Sequence, residues 1–264
     1  MDRKAAIAAY NQQVRQSTAP DGTGATFEVD GPIIRRLAPP GQEGSGVFWS
    51  DLDAGSADAV IAEQVTIFGA RGEEFEWKLY DYDEPSDLAE RLLAAGFEPE
   101  DAESFMVAET AEVIEALSSA NLPEGVIAVP VTDAAGVALM AQVEQQAFGH
   151  DKAEVREGIL AQLETTPDQV ALVLAMAGDV PVCACRIEYV SGTEFAGLWG
   201  GGTVKEWRGR GIYRALVRYR AELAAKRGFT YLTVDASEDS RPILERIGFT
   251  RLAVTTPYIW SPPS

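Results

Sequence analysis

The sequence predicts an α/β (α+β) fold built from two related halves, with a splayed central strand in the second. Three observations carry that expectation. Apolar residues recur with a period of two in some segments and near 3.6 in others, so strands and helices alternate along the chain. The order helix, strand, helix, closing on Gly-Phe, occurs once in each half, at Gly96-Phe97 and Gly248-Phe249. A strand-like run holds three consecutive glycines, Gly200-Gly201-Gly202, which weaken a ladder and mark a bulge or a close backbone approach.

The elements follow in order. Residues 2–16 read as a helix, stopped by STAPDGTGAT with its Pro and glycines. IIRRL (33–37) is a strand, APPGQEGSG a loop and GVFWSDL (46–52) a second strand. SADAVIAEQVTIFGARG (56–72) is a helix closed by glycine. EFEWKLYDYD (74–83) alternates and forms a strand, DLAERLLAAGF (87–97) an amphipathic helix, and SFMVAE (104–109) a strand. ALSSANLPEG (116–125) has linker composition.

The second half opens with strand VIAVPV (126–131), and Asp133 then caps a helix running to about Phe148. His150, the single histidine, opens another helical stretch that breaks near Pro167; it reads as a solvent-facing loop residue. QVALVLAMAG (169–178) and VPVCACRIEYV (180–190) form a hairpin at Gly178-Asp179. EFAGLWGGGTV (194–204) is the glycine-interrupted strand. A helix over 212–227, strand TYLTVDA (230–236), helix SRPILERIG (240–248) and strand LAVTTPYIW (252–260) finish the chain.

Composition bounds the function. Of 264 residues 46% are hydrophobic and 9% aromatic, enough for a packed core and against a disordered chain. Acidic residues number 41 against 22 basic, a net charge of −19, which argues against coating nucleic acid or an anionic membrane. The charge is uneven: residues 1–124 hold 25 acidic and 8 basic side chains, residues 125–264 hold 16 and 14. Cys183 and Cys185, two apart in a strand, share one face and read as reduced core thiols; with one histidine they offer no zinc spacing. No signal-peptide core opens the chain, and its longest apolar run, 170–178, is far shorter than the ~20 residues of a membrane span. A cytoplasmic protein without metal is expected, as monomer or homodimer.

The chemistry concentrates in residues 200–227, where eight basic side chains face two acidic ones, Glu206 and Glu222. Arg208-Gly209-Arg210-Gly211 leads directly into a helix. Free N–H groups at a helix N-terminus, the positive end of its dipole and a glycine backbone together make an anion site suited to pyrophosphate. The two arginines add charge-assisted contacts. The strand before it, splayed at its glycines, leaves Gly202, Thr203 and Val204 to face an extended amide-bearing ligand.

These residues carry a resemblance. TVKEWRGRGIYRALV resembles the acetyl-CoA-binding motif of the Gcn5-related N-acetyltransferase (GNAT) superfamily, Arg/Gln-x-x-Gly-x-Gly/Ala. Arg208 fills its first position and Gly211 its fourth, while Tyr213 departs from the sixth. The likeness runs over about 125–260 and implies a GNAT domain at 125–264, preceded at 1–120 by a degenerate GNAT-like domain without a phosphate loop. Each would be a mixed, mostly antiparallel sheet flanked by helices. In the first half Asp51, Leu52 and Asp53 stand where the loop would be, and acidic residues there repel phosphate. Its negative charge suits attraction of a cationic amine, or else serves solubility or a salt-rich habitat.

What the resemblance implies is attack of a primary amine on acetyl-CoA, as co-substrate, on a small molecule or peptide. Gly202, Thr203, Val204, Arg208, Gly209, Arg210, Gly211, Ile212 and Tyr213 would hold the cofactor, with Ser237 and Ser240 at the family's Asn and Ala positions. The Val204 N–H matches the oxyanion donor. Glu194 and Glu188 are base candidates, each also readable as a solvated strand-end carboxylate. Leu244 stands where the family has its proton-donating Tyr. That leaves water, a hydroxyl such as Ser240 or Tyr258, or no catalysis; the alternative function is an inactive acyl-CoA-binding regulator.

Two other classes are weaker. A dinucleotide fingerprint over Gly209-Arg210-Gly211 fails at Arg214 and leaves 29 residues after Asp235, too few for a doubly wound sheet. RNA binding through RGRG is disfavoured by net charge and by the helical setting.

Overall fold

The computed structural model describes residues 1–149 and 153–263. Its elements run α1 (Arg3–Tyr10), continued as a π turn (Asn11–Arg15), then β1 (Thr26–Asp30), β2 (Ile33–Leu37), β3 (Gly46–Ser50), α2 (Ala57–Arg71), β4 (Phe75–Tyr80), α3 (Leu88–Ala94), β5 (Glu98–Pro99) and β6 (Glu103–Glu109). There follow α4 (Thr110–Ala116), β7 (Val126–Val131), α5 (Ala134–Phe148), α6 (Ala153–Thr165), β8 (Val170–Ala177), β9 (Val180–Tyr189), β10 (Phe195–Thr203), α7 (Ile212–Lys226), β11 (Tyr231–Ala236), α8 (Arg241–Glu245) and β12 (Thr250–Trp260). The mixed α/β class holds. Two segments to which the sequence pattern assigns no element contain structure: β1, an exposed ribbon, and α4, which ends where the linker begins.

The chain divides into two units that are not sequential. The N-terminal unit takes Asp2–Met106 but also Asp235–Arg241 and the chain from Arg251 onward. Its strands run in the order β1-β2-β3-β4-β12. Only β3 and β4 pair parallel, while β12 lies antiparallel to β4 from Thr255↔Tyr80 to Trp260↔Phe75. The C-terminal unit holds Val107–Val234 and Pro242–Thr250, with strands ordered β11-β10-β9-β8-β7. So the last strand of the second half belongs to the first half's sheet, which the linear division at 120–125 does not describe. An 11-residue strand with Tyr258 and Trp260 buried supplies apolar surface that Phe75, Trp77 and Phe97 need.

The repeat extends to the hydrogen bonds. α2 and α7 both have 15 residues. Each is followed by a left-handed glycine, Gly72 or Gly228, after which an N–H reaches five residues back, Glu73 to Phe68 and Phe229 to Ala224. The short helices close in the same way. Gly96 and Gly248 have φ +91° and +99°, and Phe97 and Phe249 donate to the carbonyls of Leu92 and Leu244.

In the C-terminal unit the apolar run of β8 is buried between β7 and β9, and Gly178 at φ +61° turns the β8–β9 hairpin. Asp133 accepts from the Gly136 N–H at 2.8 Å to start α5, as expected of an N-cap. Cys183 and Cys185 are free and buried, and burial pushes the Cys183 thiol up to about 12. They are packing residues here rather than nucleophiles.

Candidate functional site

The glycine strand behaves as its composition requires. β10 pairs parallel with β11 over Phe195–Gly197, whereas its antiparallel pairing with β9 continues to Thr203↔Cys183. Between Trp199 and Gly202 the register with β9 slips by one residue, a bulge. Each glycine there has its own reason. Gly200 sits at φ +59°, a left-handed conformation that side-chain-bearing residues rarely adopt. A Cβ on Gly201 would lie 2.9 Å from the Tyr213 ring, and one on Gly202 would lie 2.7 Å from the Phe148 ring. Helix α7 and helix α5 thus press the bulge from two sides.

At the end of β10 the chain passes through Lys205–Trp207 into Arg208-Gly209-Arg210-Gly211 and then α7. Gly209 and Gly211 take φ +75° and +81° with open space beside them. Gly211 is the N-cap and no side chain caps the helix, so the first-turn N–H groups of Ile212, Tyr213 and Arg214 face out unsatisfied by side chains. Tyr213, the departure from the motif, packs its ring behind Gly201 and away from that N-terminus. Arg208 donates to the Thr203 carbonyl at 3.0 Å and to Ala147 at 2.9 Å, tying the loop to β10 and to the end of α5. Arg210 lies 4.4 Å over Trp207.

One residue of the site was missed at the level of sequence. Arg220, 1% exposed, donates to the carbonyls of Leu216 (3.2 Å), Arg186 (3.1 Å) and Trp199 (3.4 Å). A buried guanidinium bonded to the two residues that face each other just before the bulge holds that bulge to α7. Its signal lay in the spacing Ile212, Leu216, Arg220, Ala224, which places it on the helix's buried stripe.

Glu188 sits in the same unit, opposite Gly197, paired at 2.7 Å with Arg186, whose guanidinium lies 5.6 Å over the half-exposed Trp199 ring. The other catalytic candidates fall elsewhere. Glu194 lies at the far end of β10, six residues from Gly200 and so roughly 20 Å away, with its carboxylate accepting from Thr230. The Val204 N–H is already engaged, donating to Val182 at 3.0 Å, so it is not a free oxyanion donor. Tyr258 is buried in the N-terminal unit's core. Ser237 and Ser240 also fall in that unit and bond one another at 3.2 Å. Leu244 is wholly buried in the C-terminal unit. His150 lies outside the described residues.

The corresponding loop of the first half differs. Five fewer residues separate Trp49 from α2 than separate Trp199 from α7. The Asp53 carboxylate accepts from Gly55 N–H (2.7 Å) and Ser56 N–H (2.9 Å) in the turn just before α2, which lowers its pKa and sets an anion where the GNAT domain has its Arg-Gly loop.

A model of the acetyltransferase (GNAT) family matches residues 138–249. These residues form a GNAT domain. That stretch contains the bulge, the Arg-Gly loop and α7, and GNAT proteins use acetyl-CoA. Among solved structures, a GCN5-related N-acetyltransferase from Kribbella flavida superposes with TM-score 0.70 at 17% identity, covering 98% of this chain and 95% of that one. A tandem GNAT protein from the clavulanic acid biosynthesis pathway gives TM-score 0.64 at 13% identity, over 99% and 95%. A conserved protein of unknown function from Staphylococcus epidermidis gives 0.67 at 12%, over 91% and 96%. At these identities the likeness is one of fold, and it spans both halves, not the GNAT domain alone. No curated protein matches the sequence. Among the described residues no His, Cys, Asp or Glu cluster is placed for a metal ion, and no helix is long and apolar enough to cross a membrane.

Proposed function

We propose that the chain is an acetyl-CoA-dependent N-acetyltransferase of tandem units, with the cofactor held by the GNAT domain alone. The observation that carries this is the uncapped α7 N-terminus behind two left-handed glycines, directly after a bulged strand that leaves its parallel neighbour. Pyrophosphate would lie on the N–H groups of Gly211, Ile212 and Tyr213 with Arg210 beside it. Pantetheine amides would pair with the backbone of Gly202 and Thr203.

In the reaction an amine nitrogen attacks the thioester carbon, a C–N bond forms and the C–S bond breaks. The nitrogen loses a proton and the CoA sulfur takes one up. Glu188, opposite Gly197 on β9, would accept the first, directly or through water. Leu244 cannot supply the second, so solvent does. The Arg186–Glu188 pair beside Trp199 would line the acceptor side; the Arg186 guanidinium already engages both the carboxylate and the aromatic face, so a cationic amine would have to displace it from them.

The second reading, an acyl-CoA-binding regulator without turnover, is favoured by Leu244 alone. Release of free CoA thiol from acetyl-CoA over a panel of primary amines separates the two. An amine-dependent rate abolished by Glu188→Gln supports the enzyme; binding without thiol release on every amine supports the regulator.

A further inference from the structure

The N-terminal unit contains a built cation site that the acyl-transfer reading does not use. Its strand β3 is bulged at Phe48, which is extra in the register with β2, and β3 pairs with β4 only at Gly46 and Val47, just before that bulge. This repeats the parting of β10 from β11, with Trp49 standing where Trp199 stands. In the GNAT domain the bulge follows Trp199 and is made of glycines, whereas in the N-terminal unit it precedes Trp49 and an arginine side chain packs against it.

Arg15, at the end of the π turn that extends α1, donates from Nε to the Phe48 carbonyl at 3.0 Å. Its two terminal nitrogens grip both oxygens of Asp83, each at 2.8 Å. Asp83 is itself fixed by the Tyr80 N–H at 3.0 Å. The guanidinium carbon lies 4.0 Å from the Tyr80 ring centre, 5.0 Å from Trp49 and 5.7 Å from Tyr82. Both side chains of the ion pair are 3% exposed. A carboxylate fork, a carbonyl and three aromatic faces match a planar guanidinium and suit a compact ammonium poorly. Burial alone would lower the pKa of Arg15, but the hydrogen bonds and charge of Asp83 outweigh it and hold the cation above the ordinary arginine range.

We propose that this is an alkylguanidinium-binding site whose resident ligand is the chain's own Arg15, a tethered plug that joins the parted strands β3 and β4 and closes that cleft to other ligands.

The test uses the full chain carrying Arg15→Ala, melted alone and with millimolar n-propylguanidinium or n-propylammonium. The variant should melt roughly 10 °C below the parent, since it leaves Asp83 buried without its partner. Propylguanidinium should restore part of that loss saturably, propylammonium should not, and neither should shift the parent. Arg15→Lys should melt with Arg15→Ala, because an ammonium presents no fork. Should Arg15→Ala fail to fold, Arg15→Lys supplies the same comparison with the same two cations. Arg15→Lys melting at the parent temperature, or equal shifts by the two cations, would overturn the proposal.

Discussion

At the scale of single residues, the molecule depends on polar groups placed where only one arrangement satisfies them. Lys78 is buried and paired with Asp235 within the N-terminal unit. Burial would lower its pKa, but Asp235, Tyr10 and Glu76 outweigh that and hold the ammonium above the usual lysine range. A raised folded-state pKa stabilises the fold fully below the unfolded value of 10.5, and that stability is lost as pH rises through the higher folded value. Lys78→Met leaves Asp235 buried and unpaired and should cost about 3–5 kcal/mol in urea unfolding at pH 7. The deficit should persist to pH 10 and shrink only at more alkaline pH. In the GNAT domain, Gly201→Ala puts a methyl 2.9 Å from the Tyr213 ring. It should lower kcat/KM for acetyl-CoA by at least tenfold with a melting-point loss of a few degrees. Unchanged kinetics would show that the bulge does not shape the site.

Elements show how far the chain could be read before folding. The Arg-Gly loop, the bulged strand and the Gly-Phe closures were legible because each depends on local backbone chemistry: left-handed glycines and uncapped helix ends. β1 was not legible: Phe27 and Val29 alternate in TFEVD, but the run is only five residues long and largely exposed, so no core marks it. α4 hid beside a linker-like segment, being only seven residues long. Of the candidate site, the geometry of the Arg-Gly loop was legible and the positions of the carboxylates were not. Glu194 and Glu188 look alike in sequence, and only the register shows that one is at the wrong end of β10. Arg208 was read as a phosphate contact, yet its bonds to Thr203 and Ala147 make it a brace for the loop. Arg208→Ala should therefore weaken acetyl-CoA binding about tenfold by calorimetry, with a smaller dependence on salt than loss of a direct phosphate contact would give.

For the whole molecule, the reading we propose is duplication followed by divergence. The two halves share strand, helix and closure patterns, but one helix is entered through an Arg-Gly loop and the other through a turn held by the Asp53 carboxylate. The exchange of β12 into the first half's sheet was invisible in the sequence, because pairing partners far apart along the chain leave no local signal. Charge has also diverged, with 25 acidic and 8 basic side chains in residues 1–124 against 16 and 14 in the rest. If that field steers a cationic acceptor, its KM should rise severalfold between 20 and 200 mM salt, roughly the range over which screening of exposed charges becomes strong. A neutral amine should show little change.

One acetyl-CoA is expected per chain, held at the α7 N-terminus. Isothermal titration of the full chain with acetyl-CoA, repeated with NAD and with Gly211→Val, tests it most directly. The expected result is a single site for acetyl-CoA, none for NAD, and binding lost in Gly211→Val, because a branched side chain cannot adopt the φ of +81° at that position without strain. Two acetyl-CoA sites per chain, binding of NAD in place of acetyl-CoA, or full affinity in a folded Gly211→Val would contradict it.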